Sequence, residues 1–186
     1  MPTQVKGAVI LARRAFVREE FGEDAWKRVL ETLTEADREL LDGFILTASW
    51  YPFELNERLD AAVVEQLGAG DIAIFESIGS WSAKKNLAGP HKTFLTPGSP
   101  DRFMEMTDRI YDFYYDTGER KFEATGETSG VMTTYGAETF SETDCLTVIG
   151  WYREALKMCG ATQVTIEETS CRARGDEFCR YEFSWS

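Results

Sequence analysis

The chain has 186 residues, enough for one domain that buries about 70% of the surface its unfolded form exposes. With 20 Lys and Arg against 32 Asp and Glu, its formal net charge of −12 excludes the basic footprint that nucleic-acid or anionic-membrane binding needs. No apolar run approaches the roughly 20 residues that span a bilayer and nothing at the start resembles a secretion signal, so a single cytoplasmic domain over residues 1–186 is expected.

Apolar spacing predicts helices over 6–21, 23–32, 35–42, 53–67, 71–88 and 100–117. Thr34 and Ser99 stand as N-caps, the latter followed by Pro100 at the first helical position. Residues 120–126 and 130–136 have the β-prone composition and turn spacing of a hairpin. A helix over 142–160 follows, with Cys145, Ile149, Tyr152, Leu156 and Cys159 on one face, and residues 162–170 and 178–185 form a second hairpin. Helices grouped ahead of strands predict an α+β fold, in which N-terminal helices pack on a C-terminal antiparallel sheet of two hairpins separated by a helix.

Chemistry concentrates in the tail. Glu168 precedes Cys171 by three residues, and Cys179 faces Cys171 across the mouth of the second hairpin, whose charged turn contains Gly175. Cys145 lies in the first turn of the 142–160 helix, where the positive end of the helix dipole favours a thiolate. Three thiolates and one carboxylate suit a closed tetrahedral zinc site. Cys159, fourteen residues along the same helix and so roughly 21 Å away, is a buried core thiol instead. Two plainer readings stay open, a Cys171–Cys179 disulfide and simple burial of all the cysteines.

The run Cys171-x2-Arg174-Gly175-Asp176-x2-Cys179-Arg180-Tyr181-Glu182-Phe183, with Glu168 before it and Cys145 on the preceding helix, resembles the 4-vinyl-reductase-type domain over residues 142–186. That domain occurs in bacteriochlorophyll biosynthesis accessory proteins and in the aromatic-sensing region of bacterial transcription activators. Its phenol-sensing members hold a structural zinc with three cysteines and a glutamate, so the resemblance implies that role for Cys145, Glu168, Cys171 and Cys179. Upstream, Val5-Lys6-Gly7-Ala8-Val9, Phe21-Gly22-Glu23-Asp24-Ala25-Trp26 and Trp50-Tyr51-Pro52 are similar to the opening of haem-nitric-oxide-binding domains, which have a distantly related fold. The whole chain is similar to stand-alone proteins of a myxobacterial paralogous family without assigned activity. Tyr111 stands where the haem domains carry their axial histidine, and their Tyr-x-Ser-x-Arg signature is absent, so haem is not expected here.

No catalytic constellation is present: the one histidine, His91, excludes most histidine relays, and neither a phosphate loop nor a nucleophile elbow occurs. Aromatic residues make up 13% of the chain, and the 100–117 segment is apolar around much of its circumference. Trp81, His91, Phe94, Phe103, Tyr111, Tyr114 and Phe122 are therefore candidates to line an internal cavity. In the phenol-sensing relatives a histidine and a tryptophan hold the ligand hydroxyl, and no tryptophan lies between Trp81 and Trp151. The expected ligand is accordingly a small hydrophobic or aromatic molecule other than phenol, bound by a zinc-stabilised, non-catalytic sensory or carrier domain. The related sensors imply a homodimer and a protein output partner. The alternatives are a tetrapyrrole-metabolism enzyme or assembly factor, and a structural interaction module like the transport-particle subunits of related fold.

Overall fold

The computed structural model describes residues 3–89 and 91–186. Five helices form where the apolar spacing places them: α1 (Gly7–Phe21), α2 (Glu23–Glu31), α3 (Glu35–Asp42), α4 (Phe53–Leu67) and α5 (Ile74–Ala88). Gly22, at φ +87°, is the single residue between α1 and α2, a backbone conformation that glycine adopts without steric cost. Thr34 caps α3 by accepting the Asp37 N–H. The sequence pattern did not predict a two-stranded ribbon, β1 (Gln4–Lys6) with β2 (Trp50–Pro52). Three-residue strands are too short to show an alternation.

The predicted 100–117 helix is instead two, α6 (Pro100–Met104) and α7 (Thr107–Tyr114). Pro100 does open α6, but the Ser99 side chain makes no cap hydrogen bond. Phe103 and Met104 are both buried, as are Ile110 and Tyr111 further on; their seven-residue spacing would keep both pairs on one face of a straight helix, so this burial does not itself account for the break. Beyond α7 the chain turns extended, where Tyr115 bridges Val5 and Asp116 accepts the Gln4 N–H.

The expected α+β architecture is present. A four-stranded antiparallel sheet has the order β3 (Glu119–Gly126), β4 (Ser129–Tyr135), β6 (Cys179–Trp185), β5 (Val164–Ser170), so the two hairpins meet through β4 and β6. Helix α8 (Glu142–Met158) intervenes between the hairpins in sequence. Along β6, Cys179, Tyr181, Phe183 and Trp185 alternate inward, and Phe183 meets Tyr152 of α8 edge to face.

Two hydrophobic clusters result. One gathers Ile10, Val17, Trp26, Leu59 and Phe75 from the N-terminal helices; the other gathers Phe103, Met132, Tyr152, Leu156 and Tyr181 from α6, α8 and the sheet. Each such fully buried side chain contributes about 1.5–3 kcal/mol of transfer free energy. Helix α5 serves both, with Phe75 and Ile78 in the first and Ala83 and Leu87 in the second. It crosses α8 at Gly79 and Gly150, where any side-chain carbon would collide with the backbone of the other helix.

Candidate functional site

The first turn of α8 places Cys145 against the second hairpin. Ser141 caps that turn by accepting the Asp144 N–H. Cys145 Sγ lies 3.6 Å from Cys171 Sγ and 3.8 Å from Cys179 Sγ, and with a Glu168 carboxylate oxygen the four donor atoms fall within 4.8 Å of one another. Sulfurs at about 2.3 Å from a tetrahedral centre sit about 3.8 Å apart, whereas a disulfide needs about 2.05 Å. All four cysteines are free.

Local backbone explains the convergence. A register shift between Glu168 and Ser170 interrupts the β5–β6 ladder, and such bulges re-aim a side chain. Cys171 starts a short turn over Arg172–Arg174 that closes on Gly175, at φ +95°. The Cys171 N–H donates to Asp176 Oδ2 at 2.7 Å, and the Arg172 N–H donates to Cys179 Sγ at 3.4 Å. Glu168 Oε2 accepts from Arg174 at 2.8 Å, while its Oε1 is buried with no hydrogen-bond partner. Hydrogen bonding to the other two sulfurs, together with burial, holds the Cys145 thiol far up. The same contact brings Cys171 down to about 7 and lowers Cys179. Cys159 stands apart, fully buried beside Thr96.

One turn further along α8 lies an internal cavity of about 50 Å³, walled by Val9, Ile110, Tyr111, Tyr114, Trp151 and Tyr152. A smaller one, about 20 Å³, shares Tyr111, Tyr115, Arg120 and Val148 with it and reaches Cys145 and Cys179. Of the predicted lining, Tyr111 and Tyr114 meet at the larger cavity. The Tyr111 hydroxyl donates to the Thr117 carbonyl, and burial pushes it up to about 12. Tyr114 pairs with His91 Nδ1 at 2.8 Å, and burial lowers the His91 pKa.

The other predicted residues sit elsewhere. His91 lies behind Tyr114, against Phe113 and Phe94. Phe103 stacks on Trp151 from the core side. Phe122 packs with Phe183 and Trp185 on the sheet. Trp81 faces a surface hollow with Phe16, Glu76 and Arg153.

Sequence reasoning missed the charged layer beside the cavity. Arg13, 1% exposed, donates to both oxygens of Asp60 at 2.6 and 3.1 Å and approaches Asp144 at 3.5 Å. Asp60 also accepts from Thr143 at 2.8 Å, and Asp144 accepts the Tyr115 hydroxyl at 2.8 Å. Burial raises Asp144 against the pull of Arg13. A signal was there: Arg13 lies three residues after Ile10 and three before Phe16, on the buried stripe of α1, and Arg120 shares its inward strand phase with Phe122.

No family model matches the sequence, and no curated protein matches it. Solved structures do share the fold. An H-NOX protein from S. oneidensis, in its Fe(II) ligation state and with three substitutions, superposes with a TM-score of 0.75 over 97% of this chain and 96% of its own, at 13% identity. A structure from a study of haem distortion in the H-NOX family gives 0.74 over 97% and 95% at 14% identity. An Fe(II) unliganded H-NOX mutant from K. algicida gives 0.71 over 97% and 96% at 10% identity. The chain has the H-NOX fold. This finding overturns the expectation against haem, which rested on Tyr111 and a missing signature, because proteins studied for their haem share the architecture along nearly the whole chain. As the rings of Tyr111, Tyr114 and Tyr115 stand, however, about 50 Å³ does not fit a macrocycle, since small-molecule pockets run to roughly 300–1,000 Å³.

Proposed function

We propose that this chain is a non-catalytic sensory or carrier domain on the H-NOX fold, taking a small apolar or aromatic molecule between α1, α7 and α8. The cavity lining carries this reading. Val9, Ile110 and Trp151 offer apolar surface, and the Tyr111 and Tyr114 hydroxyls are already committed to protein partners, the mix that orients a ligand without reacting with it. A cavity of this size holds a few water molecules or a molecule of a few heavy atoms, and a larger ring requires Tyr114 to move. Such movement reaches His91 and α5 directly, through the Tyr114 contacts with His91 and Asn86. That is a route from ligand to surface. A homodimer and a protein output partner complete the proposal, and sedimentation at micromolar concentration tests the first.

A metal ion at Cys145, Glu168, Cys171 and Cys179 belongs to the same proposal, with zinc the ion that three sulfurs and a carboxylate suit. The orphaned Glu168 Oε1 and the sulfur spacing support it. The ion would tie α8 to the second hairpin, and its binding energy would be folding energy.

Haem is the second reading, favoured by the shared fold. One experiment separates the two. Hemin and a panel of small aromatics, hydrocarbons and short acyl compounds are titrated into purified protein, followed by absorbance and melting temperature. A ligand at 100 times its Kd adds about 2.7 kcal/mol to stability, an easily read rise. A sharp haem absorbance band with one equivalent bound favours haem. A melting shift from the small compounds alone supports the apolar cavity. No response to either leaves the interaction module. Plasma mass spectrometry on wild type and a Cys171→Ser, Cys179→Ser double variant tests the metal, with about one zinc per chain, lost in the variant, as the expected result.

A further inference from the structure

Beside the cavity lies a buried cation with no ion-pair partner among the described residues, Asp144 being near enough to feel its charge but not to pair with it. Arg120, on β3, is 6% exposed. Its Nε donates to Thr134 Oγ1 at 2.9 Å, and its guanidinium stands over the rings of Tyr111 at 4.6 Å and Tyr152 at 5.8 Å. Among the described residues no carboxylate forms an ion pair with it, although Arg13 nearby takes both Asp60 and Asp144. Removing an unpaired guanidinium from water costs several kcal/mol, and cation–π contacts return only about 0.5–2 kcal/mol each. Arginine has five N–H donors in a planar fork; a neutral hydroxyl and two aromatic faces leave most of that fork without an acceptor.

A second observation meets it at the same place. Tyr152, 1% exposed, walls the larger cavity together with Arg120, and its buried hydroxyl makes no hydrogen bond of ordinary geometry, although it lies close enough to the Arg120 guanidinium for the two to interact. A cationic fork and an orphaned hydroxyl thus share one wall of a cavity whose remaining surface, from Val9, Ile110 and Trp151, is apolar. The planar guanidinium matches a carboxylate with two parallel N–H···O bonds, and the apolar remainder suits a hydrocarbon body over a bare, strongly hydrated anion such as phosphate.

We infer that the cavity binds a small organic monocarboxylate, with the carboxylate on the Arg120 guanidinium and the Tyr152 hydroxyl and a short apolar body towards Val9 and Trp151. The inference rests on the ligand-binding reading above and names its ligand class. The limited volume selects chains of a few carbons. Binding neutralises the one buried arginine at the cavity that lacks an acid, so the ligand completes the interior.

The test is calorimetric titration and thermal melting at pH 7 with acetate, propionate, butyrate and benzoate, each against its uncharged amide, and with inorganic phosphate. The acids raise the melting temperature and the amides shift it far less. Arg120→Met removes the charge and keeps the length; replacing an unpaired buried charge by an apolar group leaves folding intact or improves it, while acid binding falls tenfold or more. Tyr152→Phe keeps the ring and weakens the acids severalfold without affecting neutral ligands, and it decides the matter should Arg120→Met not fold. Acids and amides binding alike, or acid binding unchanged in both variants, overturns the carboxylate assignment and leaves the apolar cavity standing. Phosphate binding as tightly as propionate also overturns it. No binding by acids, amides or neutral aromatics removes both the assignment and the cavity reading.

Discussion

Around Trp26 and Leu59 the N-terminal helices close on one another chiefly through apolar side chains, whereas around Tyr152 and Tyr181 the half built from α8 and the sheet stops short of closure. A cavity lies where this half meets α1, and among the described residues this half holds three orphaned buried polar atoms, of Thr139, Tyr152 and Glu168, the last beside three sulfurs, against one, Asn56 Oδ1, in the N-terminal half. Dispersion and burial alone would fill such gaps, because protein interiors pack to crystal density and each void forfeits contacts. The molecule gives up packing where α1, α7 and α8 meet. Helix α8 touches both places, the sulfurs with Cys145 and the cavity with Val148, Trp151 and Tyr152.

The two halves meet at the Arg13–Asp60–Asp144 layer, and breaking that joint is expected to have the largest effect. Asp60→Ala leaves Arg13 buried with Asp144 alone, at 3.5 Å. Removing one partner of a buried pair costs about 3–5 kcal/mol, a large share of a typical domain's total, and urea unfolding should show the midpoint falling accordingly. Replacing both partners with apolar residues, Arg13→Met with Asp60→Leu, should recover much of the loss. A single variant as stable as wild type would show that the layer is solvated and joins nothing.

A smaller loss is expected where α5 crosses α8. Gly150 lies against the Glu76 backbone and Gly79 against Thr147 and Trp151, so Gly150→Ala forces the helices apart. Overpacking of this kind costs typically 1–3 kcal/mol. Because α5 feeds both clusters, fluorescence and circular dichroism should report one shared transition at a lower temperature. Separate transitions would mean that the halves fold independently, which would recast the comparison as one between two domains.

Much of this architecture was legible in the residues. The 3.6-residue periodicity marked α1 to α5 and α8 nearly to their ends, and the turn spacing of the last hairpin set Cys171 and Cys179 facing each other across its mouth. Cys145, Glu168, Cys171 and Cys179 were brought together from their spacing, since a helix start and a hairpin mouth leave their side chains few directions. The cavity was less legible. Aromatic content says that rings are buried but not which ones leave a gap, so Trp81, Phe103 and Phe122 share a composition with Tyr111 and Tyr114 yet pack elsewhere. The break at Glu105 and Met106 has no proline or glycine to announce it. Gly79 and Gly150 did carry a signal, as isolated glycines inside helical patterns, and the structure supplies the reason in the partner helix.

The smallest effect belongs to the N-terminal half alone and serves as a control on the other two. Arg58 of α4 donates to Asp37 of α3 through Nε and Nη2, both at 2.8 Å. The Arg58 hydrogen bonds, outweighing the cost of burial, hold the Asp37 carboxyl below its ordinary value. A carboxyl depressed by folding contributes stability that is fully present above its unfolded pKa of about 3.9 and is lost as pH falls through the folded value. The Arg58 side chain is 49% exposed, so solvent and salt screen the pair to below about 1 kcal/mol. Arg58→Ala should therefore lower the urea midpoint slightly at pH 7, and the gap from wild type should shrink as the pH is taken below 4 or the salt raised to 1 M. It should leave melting shifts from cavity ligands untouched, because neither Arg58 nor Asp37 lines a cavity. A gap of equal size at both pH values would assign the effect of Arg58 to the packing of its methylene stem across α3 and α4 rather than to its charge, and this region would then be held together by burial even at its rim.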